Sequence, residues 1–248
     1  MREAATSKER DTGPPNRNFL MASSDDQRGP AAQKVFSPLA YDNLTRNIVD
    51  ELMRRGPFAL PLRERFTGAG VYALFYVGDD KNYEPIRSPE ASNPIYVGKA
   101  VPRGARKGAM GDLTVSAQLY DRLSEHADSI AAASNLRHED FLCRYLAVEP
   151  LWIVMAEQFL ITRFRPLWNL ELDGFGNHDP GSGRYEGEIA WWDARHPGRP
   201  WAAKLRQTRT LDDAKARVQA FFERLYVAPS EVEAEAKRVA SEKAESDE

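Results

Sequence analysis

The sequence predicts an α+β fold: a small three-stranded sheet ordered as β-hairpin, helix, strand, helix, flanked by helices, with added helices and a long loop. Three observations carry this. Two short β-rich runs bounded by glycine or proline lie close together, Gly70 to Val77 and Pro94 to Gly98. Apolar residues then recur at helical spacing from Val115 to Ile130. Finally, Leu151 to Phe164 is apolar nearly all round and stops at Pro166, whose preceding residue avoids helical geometry.

In chain order, residues 1–34 are polar, rich in Pro, Ser, Asp and Arg, and read as a disordered arm. Met21 offers an alternative start, so the first twenty residues need not belong to the natural protein. A helical extension fills 35–67, with Leu39, Leu44, Ile48 and Leu52 forming an amphipathic stripe. The two β-runs make the hairpin, joined by a polar connection through Asp79, Asp80 and Pro85. A helix carries Val115, Leu119, Leu123, Ala127 and Ile130 on one face, and 140–148 suits a third strand. The apolar stretch from Leu151 is expected as a buried helix. Residues 173–200, rich in Gly, Pro, Asp and Arg, read as a long loop. A last helix spans 211–226, and an acidic tail occupies 228–248.

Composition narrows the function classes. Apolar residues make up 42% of the chain, enough for a core, and the one cysteine excludes both an internal disulfide framework and a cysteine-cluster metal site. Cys143 lies in an apolar stretch and reads as a buried bystander. No run is long enough to span a bilayer and no signal core opens the chain, so a soluble cytoplasmic protein without membrane contact is expected. The net charge of −3 hides local basic patches. One comprises Lys99, Arg103, Arg106 and Lys107. The other, Arg195, Arg199, Lys204, Arg206, Arg209, Lys215 and Arg217, is opposed only by Asp212 and Asp213. Either could bind phosphate or form a solvated surface.

Several residues have chemical promise. Tyr72 and Tyr96 sit on adjacent hairpin strands, and Arg122 and His126 lie i, i+4 on one helix face. Glu157 is the only acid in its apolar run, where an unpaired carboxylate would cost several kcal/mol. Asn169 follows the proline that ends that helix. Taken singly, the tyrosines could be packing residues, the Arg-His pair a surface face, and Asn169 a turn-former.

As an ordered set, these elements resemble the GIY-YIG nuclease superfamily. Gly70-Val71-Tyr72 and Tyr96-Val97-Gly98 are similar to its two strand motifs, with Val in place of Ile in both. Arg122, Glu157 and Asn169 follow in the family's order, and the resemblance covers 68–170 as a nuclease core. His126, one turn after Arg122, and the stretch Asp173 to Gly181 resemble the type II restriction endonuclease branch. Repair and homing members usually carry separate DNA-binding domains, for which nothing here is long enough.

The resemblance implies hydrolysis of phosphodiester bonds in double-stranded DNA at a short palindrome, GC-rich by analogy with related enzymes. It implies Tyr72, Tyr96, Arg122, His126, Glu157 and Asn169 as catalytic residues, with Glu157 holding Mg²⁺ and Mn²⁺ a possible substitute. A single hard carboxylate suits a Mg²⁺ that keeps most of its waters. A tyrosine of ordinary pKa, about 10, is a poor base at neutral pH, so Tyr72 needs a relay, for which His126 is the candidate. DNA contacts are expected from Lys99, Arg103, Arg106, Lys107, Arg184, Arg195, Arg199, Lys204, Arg206 and Arg209, largely within a DNA-contacting loop and C-terminal helix over 171–227. One active centre per chain and a palindromic target imply a homodimer on DNA. A companion DNA methyltransferase would act on the same site without direct contact. A structure-selective nuclease and a catalytically silent DNA-binding protein are the competing readings.

Overall fold

A computed structural model describes residues 37–102 and 116–225. Helix α1 (Tyr41–Arg54) leads to a two-residue strand β1 (Phe58–Ala59), then β2 (Gly70–Tyr76), β3 (Tyr96–Ala100), helix α2 (Gln118–Ala132) and β4 (Phe141–Ala147). Helix α3 (Pro150–Phe164) and two short helices, α4 (Leu167–Leu170) and α5 (Trp191–Arg195), follow. A final helix, α6, runs over 211–225. Thr210 and Asp213 cap its start reciprocally: Thr210 Oγ1 accepts from the Asp213 amide at 3.1 Å and Asp213 Oδ2 from the Thr210 amide at 3.3 Å.

The sheet has four antiparallel strands, in the order β1-β4-β2-β3, rather than three. The added strand β1 falls where only a helical extension was expected. Pro57 and Pro61 bracket it, and a residue without an N–H cannot extend a ladder, so only Phe58 and Ala59 pair, opposite Cys143 and Leu142. Two residues show no alternation to read.

Strand β2 is central and buried along its whole length, which is why it reads as a continuous apolar run. Alternation sends Tyr72, Leu74 and Tyr76 to one core and Val71, Ala73 and Phe75 to the other. The first core contains Leu119, Leu123 and Ile130 of α2, Trp192 of α5, and Ala214, Val218, Phe221 and Phe222 of α6. Leu52 of α1 and Ile153, Ala156 and Leu160 of α3 close the second. Helices therefore cover both faces.

Two expectations need correction. Helix α3 is not buried all round: Leu151, Trp152 and Val154 of its first turns are exposed, because α1 and the sheet cover only the Ile153, Ala156 and Leu160 side. The 173–200 segment is not an open loop. Phe175 and Trp192 are buried and α5 packs inside it. The arm 1–34 and the tail 228–248 lie outside the described residues.

Candidate active site

The site is assembled around the edge strand β3. Tyr72 on β2 lies opposite Gly98 on β3, and Leu74 opposite Tyr96, so Tyr72, Tyr96 and Gly98 share one face while Lys99 shares the other. Glycine at 98 is required by close approach. A Cβ there would lie 2.3 Å from the Tyr72 hydroxyl oxygen, so the bare backbone is what lets that phenol extend over the strand.

Helix α2 is tied to the start of β2, where the Leu119 amide donates to the Gly68 carbonyl at 3.0 Å. Its buried stripe includes His126, and Arg122 sits at the stripe's margin with its side chain 23% exposed. The Tyr72 hydroxyl and His126 Nε2 share a hydrogen bond of 2.6 Å. Both groups are buried. Burial, reinforced by Tyr96, raises the Tyr72 pKa well above 10, with Arg122 opposing the shift. Burial first, then the positive Arg122, holds His126 well below 6.5. The pair is thus a neutral phenol against a neutral imidazole. His126 also stacks on Phe175, with centroids 4.4 Å apart and planes 15° apart.

Arg122 turns toward the segment after α4. Its Nη2 donates to the Gly176 carbonyl at 2.8 Å, and its Nη1 to His178 Nε2 at 2.6 Å and to Glu125 at 2.8 Å. A Cβ at Gly176 would stand 2.9 Å from the Tyr96 hydroxyl and 3.0 Å from Arg122 Nη2, so this glycine keeps the guanidinium and phenol close to one backbone turn. A shallow cleft beside them is lined by Arg122, Glu125, His126, Phe175, Gly176 and His178. Tyr96 is raised by burial, with Arg122 lowering it and the Glu157 carboxylate raising it.

Glu157 projects from α3 with its side chain 16% exposed and forms an ion pair with Lys99. This pair supplies the compensation that a carboxylate in an apolar helix needs. Lys99, expected as a phosphate contact, is thereby brought to the carboxylate. Asn169 on α4 clamps the free edge of β3: Val97 N–H donates to its Oδ1 and its Nδ2 donates to the Val97 carbonyl, both at 2.8 Å. An open edge needs such partners.

Arg195 and Arg199, expected among the DNA contacts, are instead buried. Arg195 pairs with Asp80 and Arg199 with Asp193, since a guanidinium that leaves water requires a carboxylate. Arg209 is half-buried over the Trp191 ring and donates to the Ile189 carbonyl at 2.8 Å. Arg184, Lys204 and Arg206 are exposed. Arg103, Arg106 and Lys107 lie outside the described residues. Burial pushes the Cys143 thiol up to about 12, consistent with an inert core residue.

Phe175, Gly176 and Glu125 were not singled out from sequence. The glycine-rich run Asp173 to Gly181 marked their segment, but nothing in it indicates that Phe175 stacks on His126. The Lys99 ion pair was more accessible, because a carboxylate in an apolar helix calls for a cation.

The described residues contain no helix long and apolar enough to cross a membrane. No curated protein matches the chain. The family model for the Eco29kI GIY-YIG domain matches residues 64–222, which take in every element from the loop before β2 to most of α6. With Tyr72, Tyr96, Arg122, His126, Glu157 and Asn169 gathered about one edge strand within that span, the chain belongs to this GIY-YIG family of type II restriction endonucleases and is an endodeoxyribonuclease.

Proposed function

We propose that the enzyme hydrolyses double-stranded DNA within a short GC-rich palindrome, as a homodimer, with Mg²⁺ as its metal and Mn²⁺ as a substitute. The observation that carries the chemistry is the 2.6 Å contact between Tyr72 and His126, beside Arg122. As water attacks the scissile phosphorus, its proton passes to the Tyr72 oxygen while the phenol's own proton moves to His126 Nε2. The relay spares a free phenolate, which burial disfavours, and the charge of the bound phosphate would offset the imidazolium that burial and Arg122 otherwise disfavour. Arg122 exchanges its contacts with Glu125 and His178 for oxygens of the phosphate, as a planar fork suited to that anion. Asn169 holds β3, and with it Tyr96 and Lys99, in register.

The donor set fits the metal. Glu157, the acid that the resemblance singles out, would be the protein ligand, and since no group of three or more His, Cys, Asp or Glu side chains lies together among the described residues, water and phosphate oxygens would complete the shell. A single hard oxygen suits Mg²⁺, and the ion would compete with the Lys99 ammonium for that carboxylate. Bound there, the ion would add positive charge for the phosphoryl oxygens and the departing 3′ oxygen.

Exposed Arg184 and Arg206 suit guanine edges, which supports a GC-rich site. One such centre per chain and two strands to cut support the two-fold dimer. A companion DNA methyltransferase would protect the same sequence. Digestion of a sequenced plasmid with Mg²⁺, followed by end mapping, should give a fixed set of fragments with two-fold symmetric ends, and Glu157→Gln should give none. Cutting only at branches or lesions, or undiminished cutting by Glu157→Gln, overturns this reading.

A further inference from the structure

Arg199 lies between α5 and α6 and is 4% exposed. Every guanidinium hydrogen has an acceptor. Nε and Nη2 each donate to an Asp193 carboxylate oxygen at 2.6 Å. Nη1 donates to the carbonyls of Phe175 and Asn177 at 3.0 and 3.2 Å, and Nη2 also to that of Gly174 at 2.9 Å. The rings of Trp192 and Trp201 each lie 4.5 Å from the guanidinium carbon. The three carbonyls belong to the segment whose Phe175 stacks on His126 and whose Gly176 carbonyl receives Arg122.

We propose that Arg199 is a positioning residue for DNA cleavage: anchored by Asp193, it sets the backbone of 174–177, and that backbone sets the planes of His126 and the guanidinium of Arg122. The inference rests on the reading of Arg122 and His126 as groups of the reaction. The segment it holds contains Gly174 and Gly176, which have no side chains to pack, so convergent hydrogen bonds must hold the backbone instead. Lysine cannot replace Arg199. Its three donors radiate from one atom and cannot span a carboxylate and three separate carbonyls. Misplacement of reacting groups by even 1 Å lowers a rate far more than it lowers binding.

The test is a double-mutant cycle with Arg199→Lys and Arg122→Lys, read by single-turnover cleavage of a cognate duplex and by duplex binding without metal. Arg199→Lys should lower the cleavage rate about 10- to 100-fold and leave the dissociation constant within about threefold. With Arg122→Lys already present, it should cost clearly less than it does alone, because the share that acts through Arg122 is already lost and only the share through His126 remains. Independent, multiplying losses overturn the proposal, as do an unchanged rate or weakened binding at an unchanged rate. If Arg122→Lys itself cleaves at the wild-type rate, the reading of Arg122 falls instead, and the proposal with it. Should Arg199→Lys fail to fold, Trp201→Leu, which keeps the carboxylate and carbonyl contacts, enters the same cycle and is expected to lower the rate about 3- to 10-fold with the same non-additivity.

Discussion

Replacing Tyr72 with phenylalanine removes one oxygen and leaves the ring, so its effects on folding and on chemistry can be separated. The phenol is fully buried and its hydroxyl is 2.6 Å from His126 Nε2, on an imidazole only 1% exposed. Losing the hydroxyl leaves a buried imidazole nitrogen without its hydrogen-bond partner, at a cost of about 1–3 kcal/mol. A domain of this kind is stable by about 5–15 kcal/mol, so the variant stays folded. Loss of the proton acceptor should lower the cleavage rate about 10²–10⁴-fold. Unfolding cannot produce such a drop in a protein that remains folded. The assays are urea denaturation followed by tryptophan fluorescence and single-turnover cleavage with enzyme in excess over DNA. A variant that loses the expected stability yet cleaves within a few-fold of wild type would refute the reasoning, since the hydroxyl would then matter only for packing.

Three further predictions follow from the same geometry. Gly98→Ala puts a methyl group 2.3 Å from the Tyr72 oxygen, and should cost about 1–3 kcal/mol of stability and most of the cleavage activity; wild-type values for both would show that the strand and phenol need no close approach. His126 and His196 are both held well below 6.5 by burial, so below that pH the unfolded chain binds more protons than the folded one and stability falls as pH falls. Each histidine contributes a slope of up to about 1.4 kcal/mol per pH unit, and a urea midpoint that does not move between pH 7.5 and 5.5 would contradict the assignment. Arg184→Ala should weaken DNA binding and reduce the slope of log affinity against log salt by about 1 if it meets a phosphate, or relax sequence choice if it meets a base; titrations in which neither quantity changes remove it from the interface.

What the sequence by itself determined is the part written in local patterns. Helical stripes placed α1, α2 and α6, the glycine-bounded runs placed β2 and β3, and the ordered Tyr72, Tyr96, Arg122, His126, Glu157 and Asn169 marked the nuclease core. The need of a carboxylate in an apolar helix for a partner also follows from sequence, although the partner's identity, Lys99, does not. Only the tertiary structure decided which charges leave water. Arg199 and Arg184 look alike in a basic, glycine-rich stretch, yet one is fully satisfied by Asp193 and three carbonyls while the other is exposed. The same holds for β1, which exists because β4 offers an edge to two residues between prolines, and for Phe175, which meets His126 across 49 residues of chain. Periodicity reports which face of an element is apolar. It carries no information about which distant backbone will fold against that face, and burial of charge is settled by that second step.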